Sequence, residues 1–505
     1  MTLLDLSVSL SFVLGIGFLA YVTVIVRNFL RAGPDAPGDP SRFDWHFLIP
    51  CRDEEAVIGT TLDHLARHFP RARVWVVDDH SEDRTAEVVR ARAAEGRPVH
   101  LVARRLPRAR TGKGDALNAA YRAIEAWLPQ DTDADRVVLI VLDADGRPSP
   151  GMLDTFAGPS SFGDPAVGAV QVEVRMSNRD VAVPLPHRGR LANRFARLLT
   201  RLQDIEFRGP ISAIQITRRL TRTVNVGGNG QANRLSALRS IDRAGGEPWG
   251  RALLEDFELG LRMMLAGWRN GYTTTAWVDQ EALWNVRQLI TQRVRWAQGS
   301  MQCASYLRRV WRSREFTTLG FLEVLYFMVQ PWLQVVGLVV YTVPIAAFGY
   351  NVVFYPEFVL AFLREGGAVL IALYLVLGVA EFALWGPLYR RRSEPGISRR
   401  AALGYGLALA VYAATTYLVA VRAFWRIVRR KGAWHKTART AVPLPASTAR
   451  ELPARELTAR EVPARELTAR ELTAREVPAR EITARELTAG QIPAKETAGQ
   501  EIATA

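Results

Sequence analysis

The sequence predicts an α/β domain built on a mostly parallel sheet, together with membrane-spanning helices and a repetitive C-terminal tail. Three observations lead to this expectation. Short apolar runs alternate with helical patterns between residues 43 and 315. Long uncharged stretches lie on both sides of that region, and residues from 447 onward repeat every five positions. Strands that alternate with helices are typical of a parallel sheet covered on both faces.

The first element is an apolar stretch from Leu6 to Val26 that contains no charged residue. It is long enough to cross the hydrocarbon core of a bilayer. Arg27 and Arg31 follow it, so the positive-inside rule places the next domain in the cytoplasm. A cleaved signal peptide fits less well, because no basic residue precedes the run and no small-residue cleavage site follows it. We therefore expect a transmembrane helix in residues 1–31 and a Pro- and Gly-rich linker in residues 32–42.

Five apolar runs predict the strands of the sheet domain, residues 43–315. They are residues 45–50, 73–77, 99–102, 137–142 and 167–174, and helical patterns separate the first four. The fourth run is unbroken and rich in β-branched residues, which is typical of a strand buried on both faces. A long basic, amphipathic region, residues 191–220, follows the fifth run.

Residues 316–440 contain three further hydrophobic stretches: 324–356, 366–389 and 401–421. Glu381 is costly to bury in a span, so we expect it to face protein or a polar lumen. Basic residues follow the last stretch and predict a cytoplasmic C-terminus, whereas three crossings after a cytoplasmic domain would leave it outside. We therefore expect one interfacial or re-entrant segment. The alternative is a tight pair of crossings within 324–356, broken at Pro331 or Pro344.

The tail and the composition exclude several classes of protein. The five-residue repeat in residues 441–505 fits neither helix nor strand periodicity and contains prolines, which predicts a disordered tail. Two cysteines give no disulfide framework, and there is no Cys/His cluster for zinc. The net charge of +15 fits an anionic membrane surface or anionic substrates. Nucleic acid is not expected, because aromatic residues do not interleave with the basic ones.

Acidic residues follow the predicted strands directly. Asp143 and Asp145 end the fourth strand, Asp79 ends the second, and Glu54 follows the first. Ligands of open α/β sheets gather at the carboxyl ends of strands, where acids can accept hydrogen bonds from a nucleotide. Two hard oxygen ligands there suit a divalent cation that also holds a phosphate. The alternative for Asp143 and Asp145 is that they cap the next helix.

Two clusters contain glycine. Lys113 lies between two glycines and can approach a phosphate, although an ordinary surface lysine is the alternative. The loop Gly227-Gly228-Asn229-Gly230 indicates close backbone approach to a ligand or a plain turn.

Two further clusters lie on helices. Glu255 and Asp256 either favour the dipole of their helix or supply a general base. Arg293 and Trp296 share a helix face and could contact a diphosphate and a sugar ring. The alternative for this second pair is a membrane-interface belt.

These clusters, in this order, resemble those of the membrane-bound inverting glycosyltransferases of family two. That family includes cellulose, hyaluronan and poly-N-acetylglucosamine synthases and several glycolipid synthases. The resemblance covers about residues 43 to 300 and rests on an ordered motif set: Ile49-Pro50 with Glu54-Glu55, Val77-Asp78-Asp79 with Ser81, Gly112-Lys113, Asp143-Ala144-Asp145, Gly227-Gly228-Asn229-Gly230, Glu255-Asp256, and Gln292-Arg293-x-Arg295-Trp296.

The resemblance implies a GT-A-like domain that binds a nucleotide sugar. It implies that Asp79 recognises the uracil of a UDP-sugar, with Glu54 and Lys113 nearby. Asp143 would touch the nucleotide, Asp143 and Asp145 would hold Mg²⁺ or Mn²⁺, and Asp256 would be the catalytic base. The remaining motif residues are implied to lie near the acceptor or the diphosphate: Gly228, Asn229, Glu255, Gln292, Arg293, Arg295 and Trp296.

The implied function is transfer of a sugar from a UDP-sugar to a hydroxyl acceptor with inversion, in synthesis of a cell-surface polysaccharide. The alternative within this class is single transfer to a lipid such as diacylglycerol, and a non-enzymatic membrane scaffold is a third reading. We expect a multi-pass protein of the cell membrane with a cytoplasmic catalytic domain, bound to membrane lipid and able to form a homo-oligomer. Two positions depart from the family pattern: Leu254 stands for threonine, and Arg52-Asp53 for Tyr-Asn.

Overall fold

The computed structural model describes residues 3–244, 246–430 and 482–483. Its strands form one sheet, and in chain order they are β1 (Asp44–Cys51), β2 (Arg73–Asp79), β3 (Val99–Arg104), β4 (Val137–Val141), β5 (Arg147–Pro148), β6 (Val167–Met176), β7 (Gln231–Arg234), β8 (Arg269–Gln280) and β9 (Ile482–Thr483). The spatial order is β5-β8-β6-β7-β4-β1-β2-β3-β9. Apart from β9, the tail for which we predict disorder lies outside the described residues.

The sheet is mostly parallel, as predicted. Strands β4, β1, β2 and β3 run parallel to one another, and β6 runs parallel to β8. The short strand β7 lies antiparallel between β4 and β6 and joins these two parallel groups. The five predicted strands are confirmed, whereas β5, β7, β8 and β9 are additional. The carboxyl ends of β1, β2 and β4 meet at one edge, where the acidic motifs begin.

Helices cover the sheet and form the membrane region. In chain order they are α1 (Leu3–Arg31), α2 (Glu55–His68), α3 (Thr85–Ala94), α4 (Lys113–Trp127), α5 (Met152–Ala157), α6 (Arg190–Glu206), α7 (Ser212–Thr221), α8 (Leu235–Arg243), α9 (Glu255–Leu265), α10 (Val286–Cys303), α11 (Leu307–Arg312), α12 (Thr318–Phe354), α13 (Pro356–Phe362), α14 (Ala368–Leu375), α15 (Glu381–Ala383), α16 (Trp385–Arg392) and α17 (Arg399–Val428). A π-helical turn, Phe207–Ile211, joins α6 to α7.

Two apolar layers hold the sheet between its helices. On one face, Phe47, Val76 and Ile140 pack with α2 and α5. On the other face, Leu48 and Leu139 pack with α4, α8 and α9. Alternate residues of β1 and β4 thus point into opposite layers, which explains why these strands are apolar along their whole length.

Among the described residues, four stretches are long and apolar enough to cross a membrane: Leu6–Arg31, Thr318–Phe354, Pro356–Arg392 and Arg399–Val428. Helix α12 continues through Pro331 and Pro344. The alternative of two tight crossings within residues 324–356 is therefore wrong. Glu381 is buried, as expected for an acid within an apolar segment.

Small residues let α15 and α16 approach α17 closely. A Cβ added at Gly386 would lie 2.0 Å from the carbonyl oxygen of Ala402, and one at Gly406 would lie 2.0 Å from that of Ala383. Small residues that allow backbones to meet are typical of helix pairs in membranes.

Polar contacts tie α17 to the sheet domain near both of its ends. Just before α17 begins, Glu394 accepts a hydrogen bond from Arg208 Nη1 at 2.7 Å. Near its other end, Arg426 Nε donates to Gln298 of α10 at 2.6 Å. Residues at both ends of α17 therefore contact the sheet domain or the helices that border it.

Candidate active site

A cavity of about 580 Å³ lies at the carboxyl ends of β1, β2 and β4. Its wall contains acidic residues from three predicted motifs, Glu54, Asp79 and Asp143, together with Lys113 and Asp256. The parallel register of the three strands places their following loops side by side, so residues far apart in sequence meet at this edge.

Lys113 connects several predicted motifs. Its ammonium Nζ donates to Asp143 Oδ1 at 2.7 Å and to the carbonyl oxygen of Gly228 at 3.0 Å. Burial disfavours the charge on Lys113, but the carboxylates of Asp143 and Glu255 outweigh burial, and the pKa of Lys113 is raised. Lys113 is therefore a cation held in place beside the aspartates. It is not an ordinary surface lysine.

Asp143 and Asp145 do not cap a helix. Asp145 is buried, and its Oδ2 accepts a hydrogen bond from the backbone N–H of Glu281 at 3.0 Å. Among the described residues there is no group of three or more His, Cys, Asp or Glu side chains placed to bind a metal. Two carboxylates fit Mg²⁺ or Mn²⁺ all the same, because such ions take further ligands from water and substrate phosphates.

Asp79 is held by arginine. Its Oδ1 accepts from Arg104 Nη1 at 2.5 Å and from the backbone N–H of Arg110 at 3.0 Å. Of the three residues that depart from the family pattern, Arg52 and Leu254 line the cavity. Asp53 instead belongs to a turn with positive φ, where its Oδ1 accepts from the backbone N–H of Glu82.

The glycine loop between α7 and β7 is anchored by Gln171, which the sequence analysis did not single out. Gln171 Oε1 accepts from the N–H of Gly227 at 2.7 Å, and its Nε2 donates to the carbonyl oxygen of Asn229 at 2.9 Å. Asn229 in turn donates to Gln280 Oε1 at 2.9 Å, and its Oδ1 accepts from the N–H of Asp143 at 3.2 Å. The loop is therefore part of the wall and not a plain turn.

Glu255 and Asp256 begin α9 and face the glycine loop. A Cβ at Gly228 would lie 2.8 Å from Lys113 Nζ and 3.2 Å from Asp256 Oδ2, so both side chains lie where a side chain at this position would stand. Burial and the neighbouring Glu255 carboxylate raise the pKa of Asp256 to about 7, although Lys113 opposes this rise. A carboxyl group with this pKa can accept a proton near neutral pH.

The motif residues on helix α10 do not all face the cavity. Gln292, Arg295 and Trp296 line the cavity. Arg293 does not line it: its Nη2 donates to Glu206 of α6 at 2.6 Å, and its guanidinium lies 4.1 Å from the centre of the Trp296 ring. Arg293 thus holds the indole in place at the cavity wall.

The cavity continues between the membrane helices. Its wall there is largely apolar or aromatic, with residues from α1, α12, α15, α16 and α17: Phe18, Val22, Ile25, Tyr326, Phe327, Phe382, Trp385, Leu409 and Ala413. One continuous space therefore joins the acidic strand ends to the apolar bundle.

All but two of the predicted site residues line one cavity. The exceptions are Asp145, which is buried but is not part of the cavity wall, and Arg293, which lies behind the wall. Sequence reasoning missed Gln171, Gln280 and Glu206, which anchor motif residues. Gln171 is a polar residue within the apolar fifth run, and this is the one sequence signal that could have identified it.

Comparison with known proteins agrees with the fold and with the order of the motifs. The model of the family described as "Glycosyltransferase like family 2" matches residues 44–299, about half of the chain. The chain belongs to this family. Its sheet domain is thus the GT-A-like domain that the motifs imply.

Two curated relatives differ in the acceptor that their names imply. A β-monoglucosyldiacylglycerol synthase from Synechocystis is 29% identical over 282 residues, which cover 54% of this chain and 51% of the relative. A poly-β-1,6-N-acetyl-D-glucosamine synthase from Staphylococcus aureus is 26% identical over 282 residues, covering 55% of this chain and 60% of the relative. The chain spans about half the length of the curated relatives it matches.

A solved structure shares the fold. A mannosyltransferase from Pyrobaculum calidifontis, in complex with GDP-Man and Mn²⁺, aligns with a TM-score of 0.52 and 18% identity. The alignment covers 85% of this chain and 100% of that chain, so it extends over the membrane helices as well as the sheet.

Proposed function

We propose that the protein is an inverting glycosyltransferase of the cell membrane that moves a sugar from a UDP-sugar to the hydroxyl group of a lipid. The observation that carries this proposal is the single cavity that joins the acidic strand ends to the membrane helices. A water-soluble donor can enter from the sheet side, and an acceptor dissolved in the bilayer can enter from the helix side. Family membership supports the sugar-transfer chemistry.

The donor end of the cavity suits a nucleoside diphosphate. Asp79 and Glu54 stand at the ends of β2 and β1, where a base and ribose can be recognised. Asp143 and Asp145 would hold Mg²⁺ or Mn²⁺, which supplies positive charge to the diphosphate. Lys113 adds a second cation close to the same carboxylates.

Asp256 is the proposed base. It removes the proton of the acceptor hydroxyl as that oxygen attacks the anomeric carbon. The bond between this carbon and the diphosphate breaks, UDP leaves with the electron pair, and the new bond forms on the opposite face. Attack without a covalent intermediate converts an α-linked donor into a β-linked product. Lys113 and Arg295 counter the charge that develops on the leaving diphosphate.

The acceptor end favours a lipid, although the sequence reasoning placed a polysaccharide first. Phe18, Val22 and Leu409 offer an apolar wall that suits acyl chains. Arg218 in this wall forms an ion pair with Glu323, at 3.3 Å. Since this pair carries no net charge, the wall favours a neutral headgroup with a hydroxyl, such as that of diacylglycerol.

A polysaccharide acceptor is the second candidate, and Trp296 favours it. Its indole lines the cavity and is fixed by Arg293, and an indole face can stack on a sugar ring. The similarity to a poly-N-acetylglucosamine synthase supports this candidate too.

Product analysis tests the proposal. The purified protein in lipid nanodiscs is incubated with Mg²⁺ or Mn²⁺, radiolabelled UDP-sugars and diacylglycerol, and Asp256→Asn is assayed in parallel. We expect label in a chloroform-soluble glycolipid and loss of transfer in the variant. Label in a precipitable polymer would support the second candidate. Equal transfer by wild type and variant would overturn the role of Asp256, and no transfer from any UDP-sugar would favour a non-enzymatic scaffold.

A further inference from the structure

Helix α6 displays two parallel stripes of residues with the same spacing. One consists of arginines at positions 190, 194, 197 and 201, and the other of apolar residues one position later, at 191, 195, 198 and 202. Residues spaced by three or four positions share a helix face, so the stripes lie next to each other along the helix. The opposite face packs against the sheet domain through Asn193, Ala196 and Gln203.

The C-terminal end of both stripes contacts the membrane helices. Leu202 is buried in one cluster with Trp385, Tyr389 and Leu409. Arg201 Nη1 donates to the hydroxyl of Tyr389 at 3.1 Å. Here the stripes follow the surface on which α16 and α17 lie.

The N-terminal end of the same stripes is uncovered. Leu191 is 80% exposed and Phe195 is 54% exposed. Arg190, Arg194 and Arg197 are exposed as well. There is no acidic residue between positions 181 and 203 to balance them. Arginines in the first turns of a helix are unfavourable to the helix dipole, and an anion beside them would remove this cost.

We propose that the N-terminal half of α6 rests on the bilayer and binds anionic lipid headgroups. Its apolar stripe is continuous with the stripe that contacts the membrane helices, so Leu191 and Phe195 reach the lipid beside α17. The arginine stripe then lies at headgroup level, where lipid phosphates are its partners. This surface is separate from the sugar-transfer site, so the inference does not depend on the acceptor or on the chemistry proposed above.

Site-directed spin labelling of the full-length protein tests this inference. Both native cysteines, Cys51 and Cys303, are buried, so a cysteine introduced by Phe195→Cys can be labelled selectively. Glu87→Cys, on the exposed surface of α3, is the matched control. The measured quantity is the accessibility of each label to oxygen, which dissolves in the bilayer, relative to a water-soluble nickel complex.

In nanodiscs that contain phosphatidylglycerol, we expect the label at position 195 to be more accessible to oxygen than the control label. In pure phosphatidylcholine the difference should shrink. The combined variant Arg190→Gln, Arg194→Gln and Arg197→Gln should reduce the difference between the two labels in both lipids. Gel filtration of this variant should show an intact protein.

Three results would overturn the proposal. The first is a label at 195 that is as accessible to nickel as the control in every lipid. The second is equal bilayer contact in neutral and anionic nanodiscs, which would exclude recognition of anionic headgroups. The third is a label already shielded from both reagents in detergent solution, which would indicate a protein partner on this face.

Discussion

At the scale of single residues, the candidate site is a balance of charges around one lysine. Lys113 donates a hydrogen bond to Asp143, and both Lys113 and Asp256 lie beside Gly228, so a single ammonium group is close to the donor aspartate and to the base. Glu255 adds a further carboxylate at this point and raises the pKa of Asp256. The protonation state of Asp256 thus depends on its neighbours as well as on its own burial.

This balance predicts the pH dependence of transfer. Asp256 acts as a base only when deprotonated, and its pKa is raised to about 7, so kcat/KM should rise as the pH increases through this value. Glu255→Gln removes one of the charges that raise this pKa, and the rise in the remaining activity should move to lower pH. A pH–rate profile that is identical in the variant would contradict the proposed coupling. Glu87→Gln, far from the cavity, serves as the control.

Gln171 provides a second prediction at this scale. Gln171→Leu removes the acceptor for Gly227 N–H and the donor to Asn229, and loses about 1–3 kcal/mol for the buried groups left unpaired. We expect kcat to fall by roughly 10-fold or more with little change in the KM for the donor. Gln171→Glu keeps the acceptor and should lose less. Equal kinetics in all three proteins would show that the loop does not need this anchor.

The sequence revealed most of the site, because the motif residues follow strands and the carboxyl ends of parallel strands must meet. It did not reveal Gln171, since its contacts depend on the position of the glycine loop beside β6. That position follows from the pairing of β6 with the short strand β7, whose residues Gln-Ala-Asn-Arg carry no apolar pattern. The family motif implies that Arg293 lies near the diphosphate. Its partner in the structure, Glu206, lies 87 positions away in the sequence, so no local pattern reveals this contact.

At the scale of elements, the sheet was predictable where its strands are apolar on both faces. Strand β8 is not evident from the sequence, because its first half, Arg-Asn-Gly-Tyr-Thr-Thr, is mostly polar and contains a glycine. The membrane helices were predictable from their lack of charge. How they pack was not, since close approach of α16 and α17 depends on which glycines face each other.

Gly386 should therefore be intolerant of even one methyl group. In Gly386→Ala the new Cβ would meet the carbonyl oxygen of Ala402, and the two helices must separate. Gly404→Ala in the same bundle is the matched control, because nothing lies within 4 Å of its Cβ. We expect a loss on the order of 2 kcal/mol in stability for the first and none for the second. Unfolding temperatures in one detergent provide the measurement, and equal values would contradict the close crossing.

At the scale of the whole molecule, the positions of the two ends of α17 bear on topology. Glu394, just before the helix, contacts Arg208, and Arg426, near its end, contacts Gln298 of α10. Both partners belong to the sheet domain or to the helices that border it. A helix with both ends on one side fits the single interfacial segment expected from the basic residues that follow it.

We therefore expect residues at the end of α17 to lie on the same side of the membrane as the catalytic domain. Arg430→Cys and Glu87→Cys should react alike with a membrane-impermeant maleimide, in sealed vesicles of either orientation. The native cysteines are buried and should contribute little labelling. Opposite reactivity of the two positions would show that α17 crosses the bilayer.

The cavity that opens to both the sheet and the bundle has a kinetic consequence. A donor dissolved in water is present at a concentration per volume, whereas an acceptor dissolved in the bilayer is present as a fraction of the lipid. Diluting the acceptor with inert lipid should therefore raise its apparent KM, expressed as total concentration, and leave that of the UDP-sugar unchanged. Adding buffer should lower the concentration of the donor without changing the fraction of acceptor in the lipid. The composition of the membrane, and not the amount of acceptor in the cell, would then set the rate at which this protein works.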